Sequence, residues 1–177
     1  VTMQSLSNEI LPAQLNIRCA GEYDLAALEW EGEYVHFRRL FADTYKQSQT
    51  GKAKIWIAVI PEDHLIGQLF VSYYGARPEL SDGVTRAYIY GFRVKPEFRN
   101  RGVGRMMMHT AEEDLWQAGF HIATLNVAQD NPAARRFYER IGYSVVANEP
   151  GNWSYLDQFG RRQDVCEPAW RMEKELS

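Results

Sequence analysis

The residues best suited to chemistry lie in one short basic stretch near the middle of the chain, residues 94–105. Gly102 and Gly104 carry no Cβ, so the backbone amides around them can approach a ligand closely. The helical pattern that follows provides unpaired amides and a partial positive charge at its start. Three arginines add full positive charges, at positions Arg99, Arg101 and Arg105. The stretch therefore predicts a site for a phosphate-like anion, although glycine pairs also occur in ordinary strand-to-helix turns.

The composition favours one globular domain, residues 1–177, and a small anionic ligand. The chain has 177 residues, of which 45% are hydrophobic, and this is enough for a substantial core. Its 20 basic and 23 acidic residues give a net charge of -3, which argues against nucleic acid or an anionic membrane as partner. A basic cluster in a mildly acidic chain instead favours a small anion.

The sequence shows no pattern typical of a metal site, a disulfide framework or a membrane segment. Cys19 and Cys166 are too few for a disulfide framework and lack zinc-ligand spacing, so we expect buried or idle thiols. The four histidines are scattered, and we expect no bound metal. No apolar run approaches the roughly 20 residues that span a bilayer, and residues 1–9 have no signal-peptide core. We therefore expect a soluble, cytoplasmic protein.

Before the basic stretch, the hydrophobic pattern predicts a strand, two helices and a hairpin. Alternating apolar residues indicate a strand over residues 14–20. Apolar residues at helical spacing indicate helices over residues 23–31 and 33–47. Two runs rich in β-branched and aromatic residues, 54–60 and 65–74, indicate an antiparallel hairpin.

A long strand leads into the basic stretch, and an amphipathic helix follows it. The strand covers residues 85–95, and the helix covers residues 102–118. Four alternate residues share one predicted face of the strand: Tyr88, Tyr90, Phe92 and Val94. Gly91 interrupts the strand, and an internal glycine is typical of a β-bulge.

The remainder of the chain is predicted to contain a strand, a helix and further strands. The strand covers residues 121–127. Asn131 followed by Pro132 is typical of a helix start, and Gly142 is typical of a helix end. Further strand pieces are predicted over residues 143–147, 153–156 and 168–173, with a polar loop between the last two.

Two motifs occur along these elements in a characteristic order and spacing. The first is Arg99-x-x-Gly102-x-Gly104, which follows Val94-x-Pro96. The second is Asn131-x-x-Ala134-x-x-x-Tyr138-x-x-x-Gly142-Tyr143. Together they resemble the two cofactor motifs of the GNAT superfamily of acetyl-CoA-dependent N-acetyltransferases, over roughly residues 87–147. The resemblance implies a mixed α/β (α+β) fold, in which about 4 helices flank a mostly antiparallel central sheet of about 6–7 strands.

The resemblance also implies which residues bind acetyl-CoA. Backbone amides of the glycine loop would hold the pyrophosphate, at Arg99, Arg101, Gly102, Val103, Gly104 and Arg105. Phe92 and Val94 would pair through their main chain with the pantetheine arm, where the strand parts from its neighbour. Asn131, Ala134 and Tyr138 of the second motif would also contact the cofactor. Asn131 has an alternative role as the cap of its helix, and the two roles are compatible.

The implied reaction is direct attack of an amine on the thioester carbonyl. An alkylammonium with a pKa near 10 is neutral to only about one part in a thousand at pH 7, equivalent to about 4 kcal/mol, so a base helps. The N–H of Val94 matches the family's oxyanion donor. Tyr138 matches its general acid, although the spacing of this residue also fits a core position.

The identity of the base stays open. Some family members carry glutamate or histidine at the positions of Tyr88 and Tyr90, and a neutral phenol is a poor base at pH 7. A water relay, a carboxylate elsewhere in the chain, or binding of the neutral amine would each serve.

Acidic and aromatic residues predict the acceptor site, because they suit a cationic amine, although exposed carboxylates are often only solvated. The candidates are Trp30, Glu31, Tyr34, Tyr73, Tyr88 and Tyr90. We predict an enzyme that acetylates a primary amine of a small molecule. A protein N-terminus is the alternative acceptor, and a non-catalytic acyl-CoA-binding module is the alternative class. Pairing through the terminal strands would give a homodimer.

Overall fold

The computed structural model describes residues 14–177, so the polar start on which the signal-peptide expectation rests lies outside the described residues. The strands are β1 (Asn16–Cys19), β2 (Ala53–Ile60), β3 (His64–Ser72), β4 (Arg86–Val94), β5 (Ile122–Ala128), β6 (Ser144–Glu149), β7 (Asn152–Leu156), β8 (Arg162–Cys166) and β9 (Ala169–Glu175). Seven of them form one sheet in the order β1-β2-β3-β4-β5-β9-β6. Only the β4–β5 pair in this sheet is parallel. The predicted mixed, mostly antiparallel fold is confirmed.

The helices are α1 (Arg38–Gln49), α2 (Val103–Gln117) and α3 (Pro132–Arg140), with 3-10 segments over Glu22–Gly32, Val35–Phe37, Pro61–Asp63 and Pro96–Phe98. The prediction of a helix over residues 23–31 is wrong in type, because this segment is a 3-10 segment. The prediction of a helix over residues 33–47 is wrong in its start, because α1 begins at Arg38. Trp30 and Glu31 have positive φ values of 47° and 57°, which no α-helix accommodates. The indole of Trp30 is buried and donates to Gln68 Oε1 at 3.0 Å. Tertiary contacts therefore override the local helical pattern. Among residues 14–177, every helix is too short or too polar to cross a membrane.

Helices cover both faces of the sheet, and the two faces bury different sets of side chains. On one face, which we call the α2–α3 face, Met107 and Leu115 of α2 pack with Ile89 and Leu125. On the other, which we call the α1 face, Phe41 packs edge-to-face on Phe70 at 5.6 Å between ring centroids. Both cores depend on the alternation of side chains along each strand.

Gly91 forms the predicted bulge in β4, and the bulge changes which side chains share a face. The β3–β4 register shifts between Gln68–Arg93 and Phe70–Tyr90, and Gly91 has a φ of 59°. Tyr90 therefore packs with Phe70 on the α1 face.

Phe92 and Val94, in contrast, belong to the α2–α3 face. The prediction that these two residues share a face with Tyr88 and Tyr90 is wrong, because the extra residue of a bulge inverts the alternation after it.

The chain between β6 and β9 forms a ribbon of two antiparallel strands, β7 and β8. The prediction of a polar loop after residue 156 is wrong for Arg162–Cys166. This strand lies outside the main sheet and most of its residues are exposed, so it lacks the apolar alternation that marks a half-buried strand. Cys166 at its end and Cys19 in β1 are both free and exposed. Of the two alternatives expected for these thiols, buried or idle, the first is therefore wrong.

Replacing Gly91 by alanine should lower the free energy of unfolding by about 2–4 kcal/mol, because left-handed strain and a steric clash combine. An added Cβ would lie 2.7 Å from Cδ2 of Phe70. Gly51→Ala is the matched control, because Gly51 has a φ of 74° and no neighbouring atom within 4 Å of an added Cβ. Denaturant unfolding should show a loss of only about 1–2 kcal/mol for the control. Equal losses in the two variants would contradict the tight packing of β3 against the bulge.

Candidate active site

The start of α2 presents unpaired backbone amides to solvent. Gly102 precedes the helix with a φ of 83°, and no side chain caps the helix start. The amides of Val103, Gly104 and Arg105 therefore have no partner within the helix. Together with the partial positive charge of a helix that runs from Val103 to Gln117, they form a site suited to an anion.

Two contacts hold this loop against the end of β4. Arg99 Nε donates to the carbonyl oxygen of Val94 at 2.8 Å. A Cβ at Gly104 would lie 3.1 Å from Cζ of Phe92, so any larger residue would press on this ring and glycine favours the close approach of the first turn of α2. The side chains of Arg99, Arg101 and Arg105 are exposed, and their positive charges stay in solvent around the loop.

A gap opens between β4 and β5 beside this loop. The two strands pair from Arg86–Ile122 to Ile89–Leu125 and no further, although β4 continues to Val94 and β5 to Ala128. The N–H of Lys95 donates to Ile66 of the opposite neighbour β3 at 2.8 Å. Because neighbouring peptide groups of a strand point to opposite sides, the amides of Phe92 and Val94 face the gap.

Tyr138 of α3 lies at the side of the gap. Its ring contacts those of Phe92 and Tyr143, with centroids 6.4 Å and 5.9 Å away. Burial raises the pKa of Tyr138 far above the ordinary value of a phenol, and the phenol of Tyr88 raises it further. Tyr88 belongs to the opposite face of the sheet, so this electrostatic effect acts between side chains of the two faces.

Tyr88 and Tyr90 are both protonated near neutral pH. Their rings stack at 5.5 Å between centroids. Burial raises the pKa of Tyr88 to about 12, and it also raises the pKa of Tyr90, whose hydroxyl hydrogen-bonds Thr44 at 3.3 Å. Neither phenol can act as a base at pH 7, as the sequence predicts.

Asn131 caps α3, which is one of the two roles predicted for it. Its Oδ1 accepts a hydrogen bond from the N–H of Ala134 at 3.1 Å. Ala134 is partly buried against the core of the α2–α3 face. Contact of either residue with the cofactor stays a prediction.

Asn126 of β5 and Arg171 of β9 are two further residues of the site, which the sequence did not single out. The β5–β9 register places them directly opposite each other, on the α1 face. The side chain of Asn126 lies near the Tyr88 phenol and partly offsets the rise in its pKa. Asn126 Oδ1 and Arg171 Nε are buried and have no hydrogen-bond partner among the described atoms. An unpaired acceptor beside an unpaired donor indicates a polar ligand. No local sequence signal could have found them, because only the register brings them together.

The predicted acceptor residues do not all lie together. Trp30 and Glu31 lie near the end of β4, where Glu31 pairs with Lys95 at 3.2 Å. Tyr34 lies on the same face, 4.3 Å from the guanidinium carbon of Arg93. Tyr73, in contrast, stacks on Phe120 at 5.4 Å between ring centroids and lies beside Asp114 of α2, away from the other candidates.

The β7–β8 ribbon crosses the α1 face of the sheet. It leaves β6 after Glu149 and returns to β9 at Ala169. Its rings reach Phe37, whose centroid is 4.9 Å from that of Tyr155 and 6.2 Å from that of Trp153. Phe37 belongs to the core over β2 and β3, so the ribbon extends from the β6–β9 side of the sheet to the side chains that pack over β2 and β3.

The model of the Acetyltransferase (GNAT) family matches residues 22–143, which is more than half of the chain. The chain belongs to the GNAT acetyltransferase family. The matched residues include the glycine loop, the gap and Tyr138. The predictions of a GNAT fold and of an acyltransferase are therefore confirmed at the level of the family.

One curated relative of this GNAT chain is named for mycothiol. Mycothiol acetyltransferase from Propionibacterium freudenreichii subsp. shermanii is 26% identical over 122 residues, which make up 67% of this chain and 38% of that protein. The chain thus spans well under half of that relative.

Three solved structures share the fold. They are Ard1 from Thermoplasma volcanium (TM-score 0.70, 19% identity, 93% of this chain and 99% of that one), SpeG spermidine/spermine N-acetyltransferase from Vibrio cholerae (0.67, 19%, 92% and 93%) and the ribosomal-protein-S18-alanine N-acetyltransferase from Escherichia coli (0.66, 18%, 92% and 94%). At such identities the likeness of a GNAT chain to its neighbours shows the fold alone.

Tyr138→Phe should slow the chemical step about 100-fold or more, because the departing thiolate loses a positioned proton donor. The affinity for acetyl-CoA should change little, since the ring that contacts Phe92 remains. Single-turnover kinetics and calorimetry measure the two effects separately. An unchanged single-turnover rate would remove Tyr138 from the role of general acid.

The pH dependence of kcat/KM should have one rising limb and no falling limb below about pH 10. A group with a raised pKa keeps its proton to higher pH, so Tyr138 remains a donor throughout this range, while deprotonation of the acceptor amine increases the rate. Circular dichroism at each pH serves as the control for folding. A falling limb below pH 10 in folded protein would contradict the burial of this phenol.

Proposed function

We propose that this chain is an N-acetyltransferase that moves the acetyl group of acetyl-CoA to a primary amine of a small molecule by direct attack. The observation that carries the proposal is the gap between β4 and β5, which opens after the Ile89–Leu125 pair beside the uncapped start of α2. It supports a ligand with a long, thin arm and a phosphate-bearing end.

The residues around the gap fit this cosubstrate. The first-turn amides of α2 suit a pyrophosphate, and Gly104 leaves room for close approach. The amides of Phe92 and Val94 face the gap, where they would pair with the amides of a pantetheine arm. Acetyl-CoA, when bound, supplies an acetyl group activated as a thioester.

Two groups of the chain, the N–H of Val94 and the phenol of Tyr138, would then assist the reaction. As the amine nitrogen bonds to the carbonyl carbon, the N–H of Val94 would stabilise the negative charge that develops on the carbonyl oxygen. As the carbon–sulfur bond breaks, Tyr138 would donate its phenolic proton to the sulfur. The attacking nitrogen would lose one of its N–H protons to give the neutral amide, and the Tyr138 phenolate would regain a proton through water. The ammonium proton must leave before attack, and because Tyr88 and Tyr90 are phenols with raised pKa values, it passes to water rather than to either of them.

The β7–β8 ribbon favours a small acceptor over a protein N-terminus. A peptide backbone needs an open groove, whereas Trp153 and Tyr155 of the ribbon rest on Phe37 across the α1 face. The similar structures include enzymes named for spermidine and for an alanine of ribosomal protein S18, so the shared fold does not choose between the two classes. A single domain over residues 1–177, a homodimer and a cytoplasmic location stay predictions.

The decisive test is an acceptor screen with acetyl-CoA, in which release of free thiol is monitored. We expect release with one or more small primary amines and none with a panel of peptide N-termini. Acetylation of peptides only would favour the protein acceptor. Binding of acetyl-CoA without any release above hydrolysis would leave a non-catalytic binding module.

Gly102→Val should weaken binding of coenzyme A about tenfold or more, because the side chain would shield the amides at the start of α2. Gly119→Val, just beyond the opposite end of the same helix, is the matched control. Both glycines have positive φ, at 83° and 92°, and neither has an atom within 4 Å of an added Cβ, so backbone strain should be similar. Calorimetry should show weaker binding for Gly102→Val alone. Unaltered affinity in that variant would count against a phosphate site at this loop.

A further inference from the structure

Arg93 is a partly buried cation that forms no ion pair. It follows the bulge in β4 and lies on the α1 face, one residue before Val94. Among the described side chains, no carboxylate lies within 4.0 Å of its guanidinium. Its close contacts are rings instead, with Tyr34 and Phe37 at 4.3 Å and 5.5 Å from the guanidinium carbon to the ring centroid.

The surroundings of Arg93 compensate its charge only in part. Burial lowers the pKa of Arg93, while Tyr34, Glu33 and Glu167 act in the opposite direction as smaller effects. A cation–π contact offsets only part of the cost of burying a charge that has no ionic partner. The guanidinium therefore has capacity for an anion that the protein itself does not supply.

A second, independent feature of the same face indicates a polar ligand with mixed hydrogen bonding. Asn126 Oδ1 and Arg171 Nε are buried and unpaired, and they lie on neighbouring strands beside Tyr88. The acceptor oxygen of Asn126 suits the N–H of an amine. Arg171 already gives Nη1 to Glu149 at 3.2 Å, so its Nε remains as a donor for an oxygen of the ligand.

We infer that the acceptor is a primary amine that also carries a carboxylate, with the carboxylate held by Arg93 and the amine directed by Asn126. The inference rests on the proposed acetyltransferase function. Arg93 lies three residues beyond Tyr90 in β4, which is roughly 7–10 Å along a strand. An amino acid or a similarly compact amino-carboxylate could therefore place its carboxylate at Arg93 and its amine near Tyr90 and Asn126. A guanidinium binds a carboxylate through two parallel hydrogen bonds. A polyamine would bring positive charge to two arginines and is disfavoured.

The test compares acids with their amides. Thiol release is measured for a panel of α- and ω-amino acids, for the matching carboxamides and for spermidine, with saturating acetyl-CoA. We expect the best acid to exceed its amide at least tenfold in kcat/KM. Amidation lowers the pKa of an α-amine and so increases the neutral fraction, which means that a preference for the acid cannot arise from amine protonation.

Variants assign the preference to Arg93. Arg93→Gln should reduce kcat/KM for the acid about 10- to 100-fold, with little change for the amide, because one charged pair of hydrogen bonds is lost. Arg93→Lys keeps the positive charge but cannot form the two parallel hydrogen bonds of a guanidinium. It should retain part of the preference for acids over amides. Arg86→Gln, at the start of the same strand and paired with Glu173, is the matched control and should behave as wild type. Affinity for coenzyme A should be unchanged in all three.

Two results would overturn the inference: equal use of acids and amides, or an equal loss for both in Arg93→Gln. Calorimetric titration of the same acids and amides into the coenzyme A complex measures their binding directly, so the inference can be tested without turnover. If no amine releases thiol, the proposed function fails. If acids nevertheless bind more tightly than amides, and this preference depends on Arg93, the proposed carboxylate site is still supported. If calorimetry shows no such preference, the proposed carboxylate site is wrong.

Discussion

The candidate site depends on the parting of two parallel strands. β4 and β5 share four paired positions and then separate, although both continue for several residues. A sheet normally satisfies the amides of its inner strands, so separation within the sheet leaves peptide groups that need another partner. The parting thus creates an opening and, at the same time, a set of backbone donors that line it.

A bulge in β4 distributes its side chains between the two faces of the sheet. The bulge at Gly91 inverts the alternation of β4, so that Tyr90 and Arg93 lie on the α1 face while Phe92 and Val94 lie on the other. Without this inversion, one face would carry all the aromatic residues of the strand. Arg99 and Gly104 then fix the start of α2 against the same strand. The amides at the start of α2 and the amides of Phe92 and Val94 therefore lie close to each other.

The sequence predicts the cofactor half of the site better than the acceptor half. The glycine loop, the cap at Asn131 and Tyr138 are local motifs, in which a few neighbouring residues determine the geometry. The positions of Asn126, Arg171 and the β7–β8 ribbon depend instead on strand register and on contacts between distant segments. The contrast between local motifs and contacts of distant segments also explains the errors in the predicted fold. The alternation of apolar and polar residues predicts most strands of the sheet. The ribbon is exposed on most of its surface and has no buried face that such a pattern could mark. Trp30 has a positive φ, and its indole binds Gln68, which is distant in the sequence.

Residue-resolved amide hydrogen exchange with and without coenzyme A is the most direct measurement of the role assigned to the gap. The amides of Phe92, Val94 and residues 103–105 should exchange more slowly in the complex, because the ligand supplies their missing partners. The amide of Lys95 is an internal control, since it already donates to Ile66 and should change little. Unaltered exchange at Phe92 and Val94 under saturating coenzyme A would contradict the insertion of the cosubstrate between β4 and β5.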